Sequence, residues 1–461
     1  MNILILHNMG HPDSWINNIS DLELSFYNYF PNNNYIIHNA CLDPPEFLKE
    51  FEFDVIILNS SFLGMIFHKS TYERIIENYS FIKNLSSFKI ALPQDDYYCN
   101  DELNELLNEF RINLTLSPFY HFKDTLHKKY LQNCGEILPC YTGYITPDLI
   151  SLTSKIKSLK NRKFDVIYKA SGSPTFPNNM AQLKADLGKI FLNDFQNYRM
   201  RVDVDSKKFY FNEDWINYLM NGRIVLGSNS GSSEIISNLS IVEKLNAYKL
   251  DHGCNNEEVI KVLLEEKNKN LRMTCLSPRN FEAALTMTAQ LLVPGEYGDI
   301  LEPYEDFFPY NNDKNSILEF INDKKLQKKI AKNCKEKILS IKELRIDYFL
   351  KTILDKINKT ENINSKKFET LKEKYNNKME TLYIEYFTNF SFYKIDKFFC
   401  DLHSNNFPLK TNKSSKLVSR IIGYLNNYEK RLWEFINEKV YPFLKQRISK
   451  KIQKNTNYFI K

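Results

Sequence analysis

No run in these 461 residues approaches the roughly 20 consecutive apolar positions that a membrane-spanning helix requires. The opening MNILILHNMG lacks the basic start and small-residue cleavage site of a secretory signal, and reads instead as a first strand. A cytoplasmic location is therefore expected, where Asn-x-Ser/Thr sequons carry no meaning. The eight cysteines (Cys41, Cys99, Cys134, Cys140, Cys254, Cys275, Cys334 and Cys400) contain no C-x-x-C pair, so neither a zinc nor a disulfide framework is indicated. The one H-x-x-x-H spacing, His7 with His11, crosses a strand-to-loop break and lacks the glutamate of a metalloprotease helix; no bound metal is expected. No G-x-G-x-x-G follows the first strand, which disfavours a dinucleotide, and no other resident cofactor is expected. Glycine and proline are sparse, while Asn, Lys, Ile, Tyr and Phe are plentiful. That bias reflects genomic base composition, and no function attaches to it.

What is present describes a globular α/β protein. Hydrophobic residues make up 43% of the chain, enough for real cores, and the length predicts two or three domains. Short Ile/Leu/Val-rich runs at 2–6, 35–38, 54–58, 88–92, 114–117 and 136–138 read as strands, some separated by helical runs such as 72–84 and 101–109. Strands buried on both faces with crossover helices mean a doubly wound parallel sheet. A polar, basic connection at 145–159 leads to a second alternating set: strands at 163–169, 199–204 and 223–227, helices at 179–191 and 213–220. The expected division is 1–150, 163–340 and a helical extension, 341–461.

In such sheets ligands sit beyond the carboxyl ends of the strands. That rule selects the loop after the first strand, which holds Gly10, and the loop after the fourth, which holds Gln94 and Asp95. In the second domain it selects Lys169, at the tip of the first strand, and Ser230-Gly231, in a small-residue loop whose N–H groups can approach a phosphate or sugar closely. The stretch 277–306, SPRNFEAALTMTAQLLVPGEYGDILEPYED, organises the rest. Pro278 falls at the first position of a helix, and Glu282 in its first turn, where a carboxylate suits the helix dipole and also suits holding sugar hydroxyls. Arg279 and the more distant Arg272 could reach a phosphate. Each candidate has a plainer reading: an N-terminal helix charge for Glu282, a helix cap for the Asp96 or Asp101 beside Asp95, a loop lysine, a surface turn, or solvated arginines.

Four stretches together carry a resemblance: SPRNFEAALTMTAQLLVPGEYGDILEPYEDFFPYNND, LPQDDYYCNDELNELL (92–107), FDVIYKASGSP (164–174) and IVLGSNSGSSEI (224–235). They resemble the signatures of GT-B glycosyltransferases of the family 4 type. The resemblance implies two Rossmann-like domains facing across a cleft, with a nucleotide-sugar donor on the second and a glycan, lipid-linked or protein acceptor on the first. It implies a cation at Lys169 facing the diphosphate, Glu282 on donor hydroxyls, Glu296 and Tyr297 in a loop around the donor, and a final helix returning to the first domain. Retention of configuration without a metal is the family's chemistry. Departures are visible: Gln94 and Asp95 stand where a histidine is common, as does Asp306. The family's paired glutamates lie eight positions apart, and eight before Glu282 is Thr274. An insertion over about 234–276 explains the break, leaving Glu234 or the Ser230-Gly231 backbone to do the first glutamate's work. A GT-B sugar-nucleotide epimerase and a non-catalytic glycan-binding or scaffolding descendant are the alternatives.

Residues 409–461 hold thirteen Lys/Arg and three Glu, +10 against +6 for the whole chain, which leaves the remainder at −4. Apolar residues recur there every three or four positions. A basic amphipathic helix fits an anionic membrane surface, at the inner face of the membrane, and equally a helix packed on the protein or a homodimer partner. Nucleic acid is not expected, since no recognition motif accompanies the charge.

Overall fold

The computed structural model describes residues 1–10, 15–170, 178–204, 210–252, 271–357 and 365–405, together with position 446. The basic tail, position 446 apart, lies outside these residues, as do His11, the polar break at 359–364 and much of the expected insertion. No described helix is long and apolar enough to cross a membrane.

The first lobe is a six-stranded sheet of β1 (Asn2–His7), β2 (Asn34–Asn39), β3 (Val55–Leu58), β4 (Phe88–Ala91), β5 (Leu114–Ser117) and β6 (Glu136–Pro139). Its order is β2-β1-β3-β4-β5-β6, parallel throughout. Alternate residues of each strand feed two separate cores. Leu4, Leu6, Ile36, Ile56 and Leu58 face one side, and Ile3, Ile5, Ile37, Val55 and Ile57 the other. This is why the strands read as continuous apolar runs. Around the sheet lie α1 (Asn17–Glu23), α2 (Lys69–Tyr79) and α3 (Asn100–Glu109).

The connection between lobes is ordered. Thr146 caps α4 (Pro147–Leu152) by accepting from Leu149 N at 3.1 Å, with proline at the first helical position. The second lobe has five parallel strands in the order β13-β12-β9-β7-β8: β7 (Phe164–Ile167), β8 (Val202–Asp203), β9 (Gly222–Gly227), β12 (Ala289–Leu292) and β13 (Phe308–Pro309). Helices α5 (Asn179–Asp194) and α6 (Asn212–Leu219) connect the first three. Strand order reverses between β1 and β3 in one sheet and between β7 and β9 in the other, which places each lobe's ligand-binding crevice. Two facing doubly wound lobes are the GT-B arrangement.

An antiparallel pair, β10 (Ser230–Ser232) with β11 (Met273–Cys275), sets Gly231 opposite Thr274. Gly231 adopts φ +125°, and a Cβ there would press on the Met273 carbonyl, so only glycine fits this crossing. The chain that leaves β10 bridges the lobes. Ile236 N donates to Tyr97 O at 2.8 Å, Asp101 N to Ser237 O at 2.7 Å, and Leu239 N to Glu102 Oε1 at 2.9 Å. From the helix that follows, α7 (Leu239–His252), Val242 and Leu245 enter the first lobe's core beside Leu103 and Leu106.

Helix α8 (Pro278–Leu285) precedes β12, and α9 (Lys314–Asn322) and α10 (Lys324–Ser340) complete the lobe. Between α10 and the next α-helix the chain breaks at 341–345. There Ile145 N donates to Leu344 O at 2.8 Å and Ile346 N to Ile145 O at 3.2 Å, pulling the backbone out of helical geometry. Helix α11 (Ile346–Leu354) then returns to the first sheet, burying Ile346, Phe349, Leu350 and Ile353 and stacking Phe349 on Tyr144. At about 1.5–3 kcal/mol per buried side chain, this contact is a substantial part of that lobe's core. The opposite face receives α12 (Ser365–Asn405), through Phe368, Tyr375, Met379, Tyr383 and Phe387.

Candidate active site

Between the lobes lies a cavity of about 780 Å³. Its first-lobe wall is the start of α1, its floor the connection around Tyr144–Leu152, and its second-lobe wall the tip of β7, helix α6 and the start of α8. A direct bond closes one side: Asn17 N, an otherwise unpaired donor in the first turn of α1, donates to Asn212 Oδ1 at 2.8 Å.

The start of α8 is fixed from beneath. Asn280 Oδ1 accepts from Ser277 N at 3.2 Å, and Asn280 Nδ2 donates to Gln290 Oε1 on β12 at 2.9 Å. Pro278 lies against the connection so closely that a Cβ at Gly143 would meet its Cγ at 2.8 Å. Locked in this way, the helix turns Arg279 and Glu282 into the cleft. Glu282 is only 8% exposed and accepts from Trp215 Nε1 of α6 at 2.7 Å. Burial pushes its carboxyl above the usual carboxylate range, while the Trp215 bond and the Arg279 charge work against that rise. The Arg279 guanidinium lies 5.2 Å from the Trp215 ring centre and 5.7 Å from that of Tyr168.

Lys169 lines the same cavity as Glu282. Its ammonium is paired with Asp203 Oδ1 at 2.6 Å and lies over the rings of Tyr218 and Tyr210. Lys184 of α5, which sequence reasoning passed over, lines an adjoining crevice with Ser230, Ser277, Arg279 and the β9 tip residues Gly227 and Ser228. Burial, and then the Arg279 charge, lower its ammonium to about 8. The crevice thus gathers two cations, small residues and the amino end of a helix, the components of an anion site. Across the cleft, Asp21 is raised to about 6 by burial and by Asp148 beside it.

The other expected residues are dispersed. Asp95 and Gln94 stand at a smaller cavity in the first lobe. Burial raises the Asp95 carboxyl, Tyr97 Oη donates to it at 2.7 Å, and Lys184 on the opposing lobe acts to lower it. Gly10 lines neither cavity. Its φ of +67° makes it a turn residue, and its carbonyl accepts from Asn39 Nδ2 at 2.9 Å and Trp15 Nε1 at 3.3 Å. Arg272 is exposed and donates to Pro294 O at 3.3 Å, while Glu296 is exposed beside Thr274. Tyr297 is buried, donates to Val293 O at 2.7 Å and packs on Phe307, so it is a core residue. Asp306 is buried against Lys337 at 2.5 Å. Glu234 is buried where the chain leaves the hairpin, its backbone N–H donating to Ser232 Oγ at 3.0 Å. Among the described residues no group of three or more His, Cys, Asp or Glu is placed to hold a metal ion.

Compared by sequence, the chain matches no family model and no curated protein. Compared by structure, it is similar to an alpha-glucosyltransferase in complex with UDP and a 13-mer DNA containing an HMU base, at 10% identity, covering 78% of this chain and 99% of that one with a TM-score of 0.46. It is similar also to HepE of Anabaena in complex with UDP, at 12% identity, 77% and 99% coverage and a TM-score of 0.40. A glycosyltransferase from Rickettsia africae matches at 9% identity, 77% and 97% coverage and a TM-score of 0.38.

Proposed function

We propose that the protein is a glycosyltransferase that takes a sugar from a nucleotide-sugar donor bound to the second lobe and passes it to an acceptor held by the first. The observation that carries this reading is the convergence of Arg279, Lys184 and the α8 amino end on one side of a cleft that also holds the buried Glu282. Breaking the bond between the sugar and the diphosphate leaves negative charge on the departing oxygen, and fixed cations in a partly desolvated crevice stabilise it. Glu282, oriented by the Trp215 N–H, accepts hydrogen bonds from donor hydroxyls. Lys169, with its charge balanced by Asp203, adds a donor at the strand tip. Retention of configuration and metal independence belong to the same reading, as does an acceptor hydroxyl near Asp95.

The test is release of nucleoside diphosphate from a panel of sugar nucleotides, with and without acceptors. Turnover with at least one donor is expected, and Glu282→Ala and Lys169→Ala should abolish transfer while circular dichroism stays unchanged. Normal turnover in both variants overturns the site assignment. Free interconversion of sugar nucleotides without an acceptor would instead identify an epimerase.

A further inference from the structure

A second cavity, of about 240 Å³, opens in the first lobe beyond the carboxyl ends of β3 and β4. It sits beside the reversal in strand order, where a doubly wound sheet binds its ligand. Ile19 lines both this pocket and the large cleft, so the two spaces adjoin. Its walls are mainly apolar: Ile19, Leu63, Ile66, Phe67 and Leu103. Two polar wall residues are already engaged, since Ser60 Oγ and Ser61 Oγ donate to the buried Glu23 at 2.9 and 2.5 Å. Gln94 and Asp95 remain at the mouth, and Asp95 is close enough to Lys184 of the diphosphate crevice for the two charges to influence one another.

Resting on the transferase reading above, we infer that this pocket is the acceptor subsite and that it takes an alcohol with an apolar body, an aryl or short alkyl group, its hydroxyl bonded to Asp95. A glycan placed here would bring several hydroxyls against aliphatic and aromatic walls. Each one left without a partner loses its bond to water with nothing in return. An apolar group gains in proportion to the area it removes from water. The difference selects the apolar alcohol. A hydroxyl at Asp95 would then sit on the side of the pocket nearest the donor phosphates, with no second opening required.

Gly64 offers a way to fill the pocket. It lines the wall with αR backbone angles, and a Cβ there meets only Phe67 ring carbons, at 3.7 and 3.9 Å, so a larger residue is tolerated. Calorimetry on the full chain, with benzyl alcohol as probe and glucose as control, reads the subsite without turnover. Benzyl alcohol should bind at least tenfold more tightly than glucose, and Gly64→Leu should weaken it at least tenfold while thermal unfolding stays within a few degrees. With the preferred sugar nucleotide, benzyl alcohol should accelerate nucleoside diphosphate release more than glucose or maltose does. Equal binding of the two probes, or of benzyl alcohol to both proteins, overturns the inference. If no sugar nucleotide is turned over yet benzyl alcohol binds and Gly64→Leu expels it, the apolar subsite stands and the transferase reading falls.

Discussion

Trp215 donates its indole N–H to Glu282 at 2.7 Å while its ring lies 5.2 Å from the Arg279 guanidinium. One side chain therefore orients both the carboxylate and the cation of the proposed donor site. Trp215→Phe keeps a ring beneath Arg279 and removes only the N–H. A hydrogen bond to a charged group is worth about 1.5–3 kcal/mol, which corresponds to roughly 1–2 pH units of carboxyl titration. Since the bond favours the ionised form, its loss raises the Glu282 carboxyl further. The acid limb of the kcat/KM profile should move to higher pH by about that amount in Trp215→Phe. A limb that stays in place would show the bond to be structural only.

Lys184 sets the opposite limb. With its ammonium lowered to about 8 by burial and the Arg279 charge, it is cationic below that pH and neutral above it. An anionic diphosphate prefers the cation, so affinity for the nucleoside diphosphate of the preferred donor should be full near pH 7 and fall as pH rises through about 8. Titration calorimetry from pH 6.5 to 9.5 measures this directly. Lys184→Met should bind that nucleoside diphosphate weakly, roughly ten- to a hundredfold less tightly, with the alkaline decline removed. A wild-type affinity flat across that range would refute the assignment.

Away from the cleft, two buried rings govern acid stability. His7 and His38 are fully buried, and burial lowers both to about 3. His38 bonds Tyr79 and Tyr375 through its two nitrogens, each at 2.9 Å, which ties α2 and α12 to the first sheet. Their folded values lie below the unfolded value near 6.5, so the unfolded chain binds more protons throughout the interval. Stability is complete above about pH 6.5 and is lost as pH falls toward 3, at up to roughly 1.4 kcal/mol per pH unit for each ring. Urea midpoints measured from pH 7 to 4.5 should fall steadily, and His38→Gln should fall less steeply than wild type. Identical slopes for the two proteins would remove His38 from the account.

The sheets were legible in the sequence because their central strands are buried on both faces, and the pattern survives without knowledge of its neighbours. Pro278 and the turn before it marked α8 equally well; the strand-tip rule pointed to Lys169 and the helix start to Glu282, and the two line one cavity. Lys184 and Trp215 were not legible. Each sits on an ordinary amphipathic helix, and only the approach of α5 and α6 to α8 turns it toward the cleft. Tyr297 failed in the opposite sense: a loop residue by its sequence position, it is drawn under the sheet by Phe307 and the Val293 carbonyl. The break at 341–345 was hidden because its cause is a backbone pairing with Ile145, some two hundred residues earlier.

The placement of α11 and α12 bears on how the chain is made. Each coat of the amino-terminal sheet is begun by the lobe's own helices and completed by a helix from beyond 345, so the strands emerge from the ribosome long before the last segments that cover them. At about 5–20 residues per second, the roughly two hundred intervening residues leave the seats of those two helices open for about 10–40 s. The lobe synthesised first is thus among the last to be finished, and the nascent polypeptide carries two open apolar seats until the carboxyl-terminal helices arrive.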